Sequence, residues 1–135
     1  MNINPQTQTP LSSYPSLTRD DLIVYLGAGI GASISALREV YPGNTILAVD
    51  IFEAKAGTKF RVNKSQIVDL LESQLTVFHG MKTGAIPIRA SALALAAGFQ
   101  DRSIGLTIID LGDNITNQAA YNLWLPKSKN LIMEE

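Results

Sequence analysis

One stretch constrains the fold of this chain more than any other. Leu22, Ile23, Val24, Tyr25 and Leu26 form an unbroken apolar run, and three glycines follow within five positions, Gly27 to Gly31. Ile34, Leu37, Val40 and Tyr41 then recur at helical spacing, until Pro42, Gly43 and Asn44 stop the pattern. An apolar run without alternation marks a strand buried on both faces. A tight glycine turn leading straight into a helix makes it the first strand of a β-α-β unit.

The same punctuation continues along the chain. The segment TILAVDI, residues 45–51, reads as a second buried strand. Ile67, Val68, Leu70 and Leu71 mark a second helix, and residues 75–78 a third strand. Ile88, Ala92, Leu93, Leu95, Ala96 and Phe99 predict a third helix, and Gly105 introduces a fourth strand, LTIIDL. Residues 117–125 read as a short helix ended near Pro126, and residues 130–133 as a fifth strand. Helices alternating with apolar, non-alternating strands predict an α/β fold with a doubly wound parallel sheet of about five strands. Right-handed crossovers favour a Rossmann-like sheet with strand order 3-2-1-4-5.

Residues 1–18 carry no charge, and Pro5, Pro10 and Pro15 oppose both helix and central strand. This predicts two parts: an extended polar arm, residues 1–19, and one Rossmann-like domain, residues 20–135. A chain of 135 residues has room for about one domain.

Composition narrows the chemistry. Cysteine is absent, so disulfide scaffolds, thiolate zinc sites and thiol catalysis are excluded. With His79 the single histidine, so are His-rich metal sites and dyads of two histidines. Charges balance at 11 basic against 12 acidic residues, which argues against a surface built throughout to grip nucleic acid. The longest mostly apolar uncharged stretch of the body, residues 22–37, is short of the ~20 residues a spanning helix needs. No membrane or export segment is expected, and a cytoplasmic setting is the default.

The glycine turn and Asp50 carry the clearest functional signal. Glycines let the backbone turn tightly and let a ligand approach the main chain. The helix that follows offers unpaired N–H groups and a positive dipole end. Asp50 ends the second strand 23 positions after Gly27, and an acid about 20 residues on accepts hydrogen bonds from the ribose hydroxyls of a nucleoside cofactor. The alternative is that the glycines only permit close packing and Asp50 is a solvated strand end. Asp110 and Asp113 bracket the end of the fourth strand, where ligands sit in open α/β sheets. They can orient an acceptor or act as general base. Alternatively, Asp113 caps the next helix with Asn114 and Thr116. His79 follows the third strand, as a ligand contact or a surface histidine. No spacing supports a metal site.

Residues 24–32, VYLGAGIGA, followed by TILAVDI, resemble the first two motifs of class I S-adenosylmethionine-dependent methyltransferases. The family's G-x-G-x-G falls on Gly27, Gly29 and Gly31, and its ribose-binding acid on Asp50. Many members carry an acid two places before the first glycine, where this chain has Tyr25. Viral cap ribose methyltransferases similarly have tyrosine there. The resemblance implies an S-adenosylmethionine-binding domain, a methyltransferase of a nucleic acid or a small acceptor. The methionine end of the cofactor would lie along residues 25–31, Ala28 included, with the ribose on Asp50 and the adenine near Ile51 and His79. Asp110, in a segment similar to the family's fourth motif, would stand near the methyl acceptor. Residues 125–130, LPKSKN, resemble the family's L-x-P-G-G turn without its glycines. The loop equally fits the dinucleotide pattern G-x-G-x-x-G/A on Gly27, Gly29 and Ala32, so a dinucleotide-binding module is the alternative, as is a methyltransferase-like binding protein without catalysis.

Two expectations concern partners. Lys55, Lys59, Arg61 and Lys64 gather around Phe60 with no acid among them, a patch suited to the phosphates of a nucleic-acid substrate. The sequence lacks the antiparallel strand pair that usually closes class I methyltransferases, so the fifth strand is expected to be an edge. An apolar edge invites pairing, and a homo-oligomer is the expectation.

Overall fold

The computed structural model describes residues 14–29, 32–51 and 83–134. The expected second helix, the strand at 75–78, Gly31, His79 and the basic patch from Lys55 to Lys64 lie outside the described residues.

Among those residues the order is β1 (Ile23–Leu26), α1 (Ala32–Val40), β2 (Ile46–Asp50), β3 (Ile86–Arg89), α2 (Ala92–Leu95), β4 (Leu106–Ile109), α3 (Asn114–Trp124) and β5 (Leu131–Met133). One 3-10 turn (Ala96–Gly98) extends α2, and another (Leu125–Lys127) follows α3. The five strands form one sheet in the order β3-β2-β1-β4-β5, and each of its pairings is parallel. This is the Rossmann-like arrangement that the apolar, non-alternating strands imply.

β1 shows why those strands lack alternation. All four of its residues are buried, but neighbours face opposite layers. Ile23 and Tyr25 pack with Ile34, Leu37 and Tyr41 of α1 and its end. Val24 and Leu26 pack with Ala96, Ala120 and Trp124 on the other face. The Trp124 ring meets Phe99 at 5.4 Å, and its indole N–H donates to Ala92 O at 2.8 Å. The sheet is therefore covered by helix on both sides, and its C-terminal edge is left to the loops.

Two element assignments differ from the sequence reading. Ile88, placed in a helix by its spacing from Ala92 and Leu95, lies in β3 and pairs with Val49. Pro87 tips the balance: it resists a helix interior but is tolerated in a strand at the edge. The helix starts after it, at Ala92, where the Ser91 hydroxyl accepts from Ala94 N at 3.3 Å. The last helix begins at Asn114 rather than Asn117, because the Asp113 carboxylate caps it, accepting from Thr116 N at 2.7 Å and Thr116 Oγ1 at 2.9 Å.

The described end of the polar arm packs on the body. Tyr41 donates its hydroxyl to Pro15 O, and the rings of Tyr14 and Tyr41 lie 6.2 Å apart. Asn44 closes the junction, its side-chain amide donating to Thr18 O and Asp21 O at 2.8 Å each.

Candidate functional site

The C-terminal ends of β1, β2, β3 and β4 surround a cleft of about 340 Å³. Gly27, Asp50, Ile51, Ser91, Leu93 and Asp110 are among its walls. Open parallel sheets bind ligands at this edge, beside the strand from which the order departs in both directions. Here that strand is β1.

The glycine turn is held from two sides. Gly27 N and Ala28 N donate to Val49 O at 2.8 and 3.2 Å. Gly29 N donates to Asp50 Oδ2 at 2.8 Å, so the acid of β2 reaches across to fix the turn. Gly27 and Gly29 both have positive φ, +95° and +56°. At Gly27 a side chain is excluded for a second reason: a Cβ would stand 1.9 Å from Asp110 O. The first glycine is thus required by the approach of β4 as well as by the turn.

Asp110 links the turn to the far side of the site. Its backbone N donates to Leu26 O at 2.9 Å, continuing the β1–β4 pairing. Its carboxylate Oδ2 accepts from the Tyr25 hydroxyl at 3.0 Å. Tyr25 is 2% exposed, and burial, reinforced by the nearby charges of Asp110 and Glu134, pushes its phenol well above the usual tyrosine range, against an opposing hydrogen bond with Ser33. The phenol therefore stays protonated and serves as a permanent donor to Asp110. Tyr25→Phe is expected to destabilise the domain by about 1–3 kcal/mol, because a part-buried carboxylate loses its donor. Urea unfolding with an unchanged midpoint would refute this coupling.

Tyr14 and Tyr41 give a pH signature. Burial, with smaller contributions from Glu134 and Tyr41, pushes Tyr14 from 10.0 to about 12. Burial also raises Tyr41. Phenols raised in the folded state favour folding fully below the unfolded value of ~10 and lose that contribution as pH rises through their folded values. Stability is therefore expected to fall from about pH 10 upward, with phenolate absorbance lagging behind that of the urea-unfolded chain. Superimposable folded and unfolded titrations would contradict the burial of these rings.

Of the residues singled out in the sequence, Gly27, Asp50, Ile51 and Asp110 line the one cleft. Gly29 touches it through Asp50, and Tyr25 sits beneath it through Asp110. Ala28, 5% exposed, belongs to the packed core. The turn after β3, Ala90 to Leu93, forms a wall that sequence reasoning missed. The signal for it is present in Pro87 and in Ser91 as a helix cap. Among the described residues, no cluster of three or more His, Asp or Glu could hold a metal ion, and no helix is long and apolar enough to cross a membrane.

No family model and no curated protein matches the sequence. Among solved structures the chain is similar to one in the crystal structure of a fibrillarin/Nop5p complex, with a TM-score of 0.58 and 17% sequence identity. The match covers 91% of this chain and 54% of that one, so this chain spans about half of its length. At that identity the likeness is one of fold: a Rossmann-like α/β sheet.

Proposed function

We propose that this chain is an S-adenosylmethionine-binding domain of the class I methyltransferase kind. The observation that carries the reading is the Asp50 carboxylate, fixed on Gly29 N at the end of β2 and opening onto the cleft beside Gly27. An acid suited to two ribose hydroxyls beside a glycine-rich turn supports that reading. Ile51, 38% exposed, and the Ala90–Leu93 turn offer an apolar seat for a base. Bound here, the cofactor supplies an activated methyl group on sulfur. The protein's contribution is to align acceptor and sulfur for displacement. Asp110, set by Tyr25, orients the acceptor and takes its proton. The basic patch of Lys55, Lys59, Arg61 and Lys64, the homo-oligomer and the cytoplasmic setting belong to the same proposal as expectations of the sequence.

Parallel calorimetric titration with S-adenosylmethionine, S-adenosylhomocysteine and NAD(H) tests it. Binding of the two sulfur compounds and not of NAD(H) is expected. NAD(H) binding with no signal from either sulfur compound would make the domain a dinucleotide module.

A further inference from the structure

The solvent face of α3 is unlike that of an ordinary surface helix. From Asn114 to Pro126 no residue is charged, although 17% of the chain is. An amphipathic helix turns charged and polar side chains to water. Here Asn117, Ala120 and Trp124 face the core. Ile115 is 85% exposed, Leu123 42%, and Leu125, just past the helix, 46%. Among the described residues, Ile115 is the most exposed large apolar side chain.

The outward side chains fall into two neighbouring rows at four-residue spacing. One is Ile115, Ala119 and Leu123, and the other is Asn114, Gln118 and Asn122. Each row reads the same in kind from either end. Ala119 is the small centre of the first, with a large apolar side chain four positions to each side. The second holds three amides, each of which both donates and accepts. Gln118 Nε2 donates to Asn122 Oδ1 at 3.3 Å, which ties that row together along the helix. Rows of this spacing are the ridges along which helices interdigitate, and a small residue at the crossing lets the axes approach.

The lack of charge selects the partner. A phosphate backbone needs cations. A helix lying in a membrane surface carries Lys or Arg on its polar face. A charged protein surface needs charge of the opposite sign. This face supplies none of these. It matches a surface that is itself uncharged, apolar and amide-bearing, and a second copy of α3 is one. A two-fold contact needs a patch that complements itself. Antiparallel copies crossing at Ala119 set Ile115 of each against the partner's Leu123, with the amide rows alongside.

We propose that α3 is the contact between two copies of this chain, paired antiparallel about Ala119. This moves the expected homo-oligomer from the edge of β5 to a helix face. It is independent of the cofactor reading.

Sedimentation of the whole chain at micromolar concentration tests it. The unmodified chain is expected at twice the mass of one chain. Ile115→Glu should weaken the dimer about a hundredfold, about tenfold at each of two equivalent ends. It should still fold, because the position faces solvent and an acid suits the first turn of a helix. Adding Leu123→Lys to Ile115→Glu should restore the dimer. The two positions lie roughly 12 Å apart along one helix, too far to pair within a chain. Across the antiparallel crossing they face each other. Ile86→Glu, at a 49% exposed isoleucine of β3, is the control and should leave the dimer intact. A monomeric unmodified chain, a dimer that survives Ile115→Glu, a double variant that stays monomeric, or dissociation by Ile86→Glu would each overturn the proposal. If the double variant fails to fold, the unmodified chain and the two single variants decide.

Discussion

Gly27→Ala is expected to leave the domain largely unfolded. The added Cβ would lie 1.9 Å from Asp110 O and 2.7 Å from Asp110 C. Both are backbone atoms, so no side chain can swing aside. The backbone at φ +95° is itself disfavoured for any residue with a Cβ. Relief requires β1 to part from β4 at the point where Asp110 N bonds Leu26 O. The expected cost is about 4 kcal/mol or more, in the exceptional tail of single substitutions, against a total stability of about 5–15 kcal/mol. Gly29→Ala is the control. Its φ of +56° is strained, but nothing lies within 4 Å of the added Cβ, and the N–H to Asp50 survives. It should cost about 1–2 kcal/mol. Urea unfolding of the two variants side by side decides the point, and equal midpoints would mean that the β1–β4 approach yields easily.

That clash also marks the limit of what the residues alone disclose. The pattern LGAGIGA announces a turn, but not that the first glycine is needed by a strand 83 positions away. The strand order was legible because burial on both faces writes itself as largely apolar, non-alternating runs in β1, β2 and β4. β3 was not, because IPIR is short, half exposed and carries a proline. At the site, Asp50 and Gly29 were legible from spacing, since a β-α-β unit fixes where the end of the second strand falls. The bond from Tyr25 to Asp110 was not. It joins neighbouring strands of the sheet that are 85 residues apart in sequence, and nothing local in either segment encodes it. Glu134 was hidden for the same reason: a terminal acid reads as solvated until β5 is seen to bury it beside Asp110.

Asp50→Ala is expected to abolish most nucleoside binding while the domain stays folded. A carboxylate accepting from two ribose hydroxyls contributes about 1.5–3 kcal/mol per charged hydrogen bond, before non-additivity. Loss of both bonds weakens S-adenosylhomocysteine by about a hundredfold or more. The same carboxylate also holds Gly29 N at 2.8 Å, so the alanine variant loses an anchor of the turn as well. Asp50→Asn separates the two effects. Its amide oxygen can still accept from Gly29 N, whereas its charge and one acceptor are gone. If Asp50 acts on the ribose, the asparagine variant should match the unmodified chain in urea unfolding yet bind at least tenfold more weakly, about 1.4 kcal/mol. If it acts only through the turn, the asparagine variant should bind as the unmodified chain does, and only the alanine variant should fail. A change in affinity of less than about threefold in both variants, below about 0.7 kcal/mol, would make Asp50 a strand end that braces a glycine turn and would remove the ribose from this site.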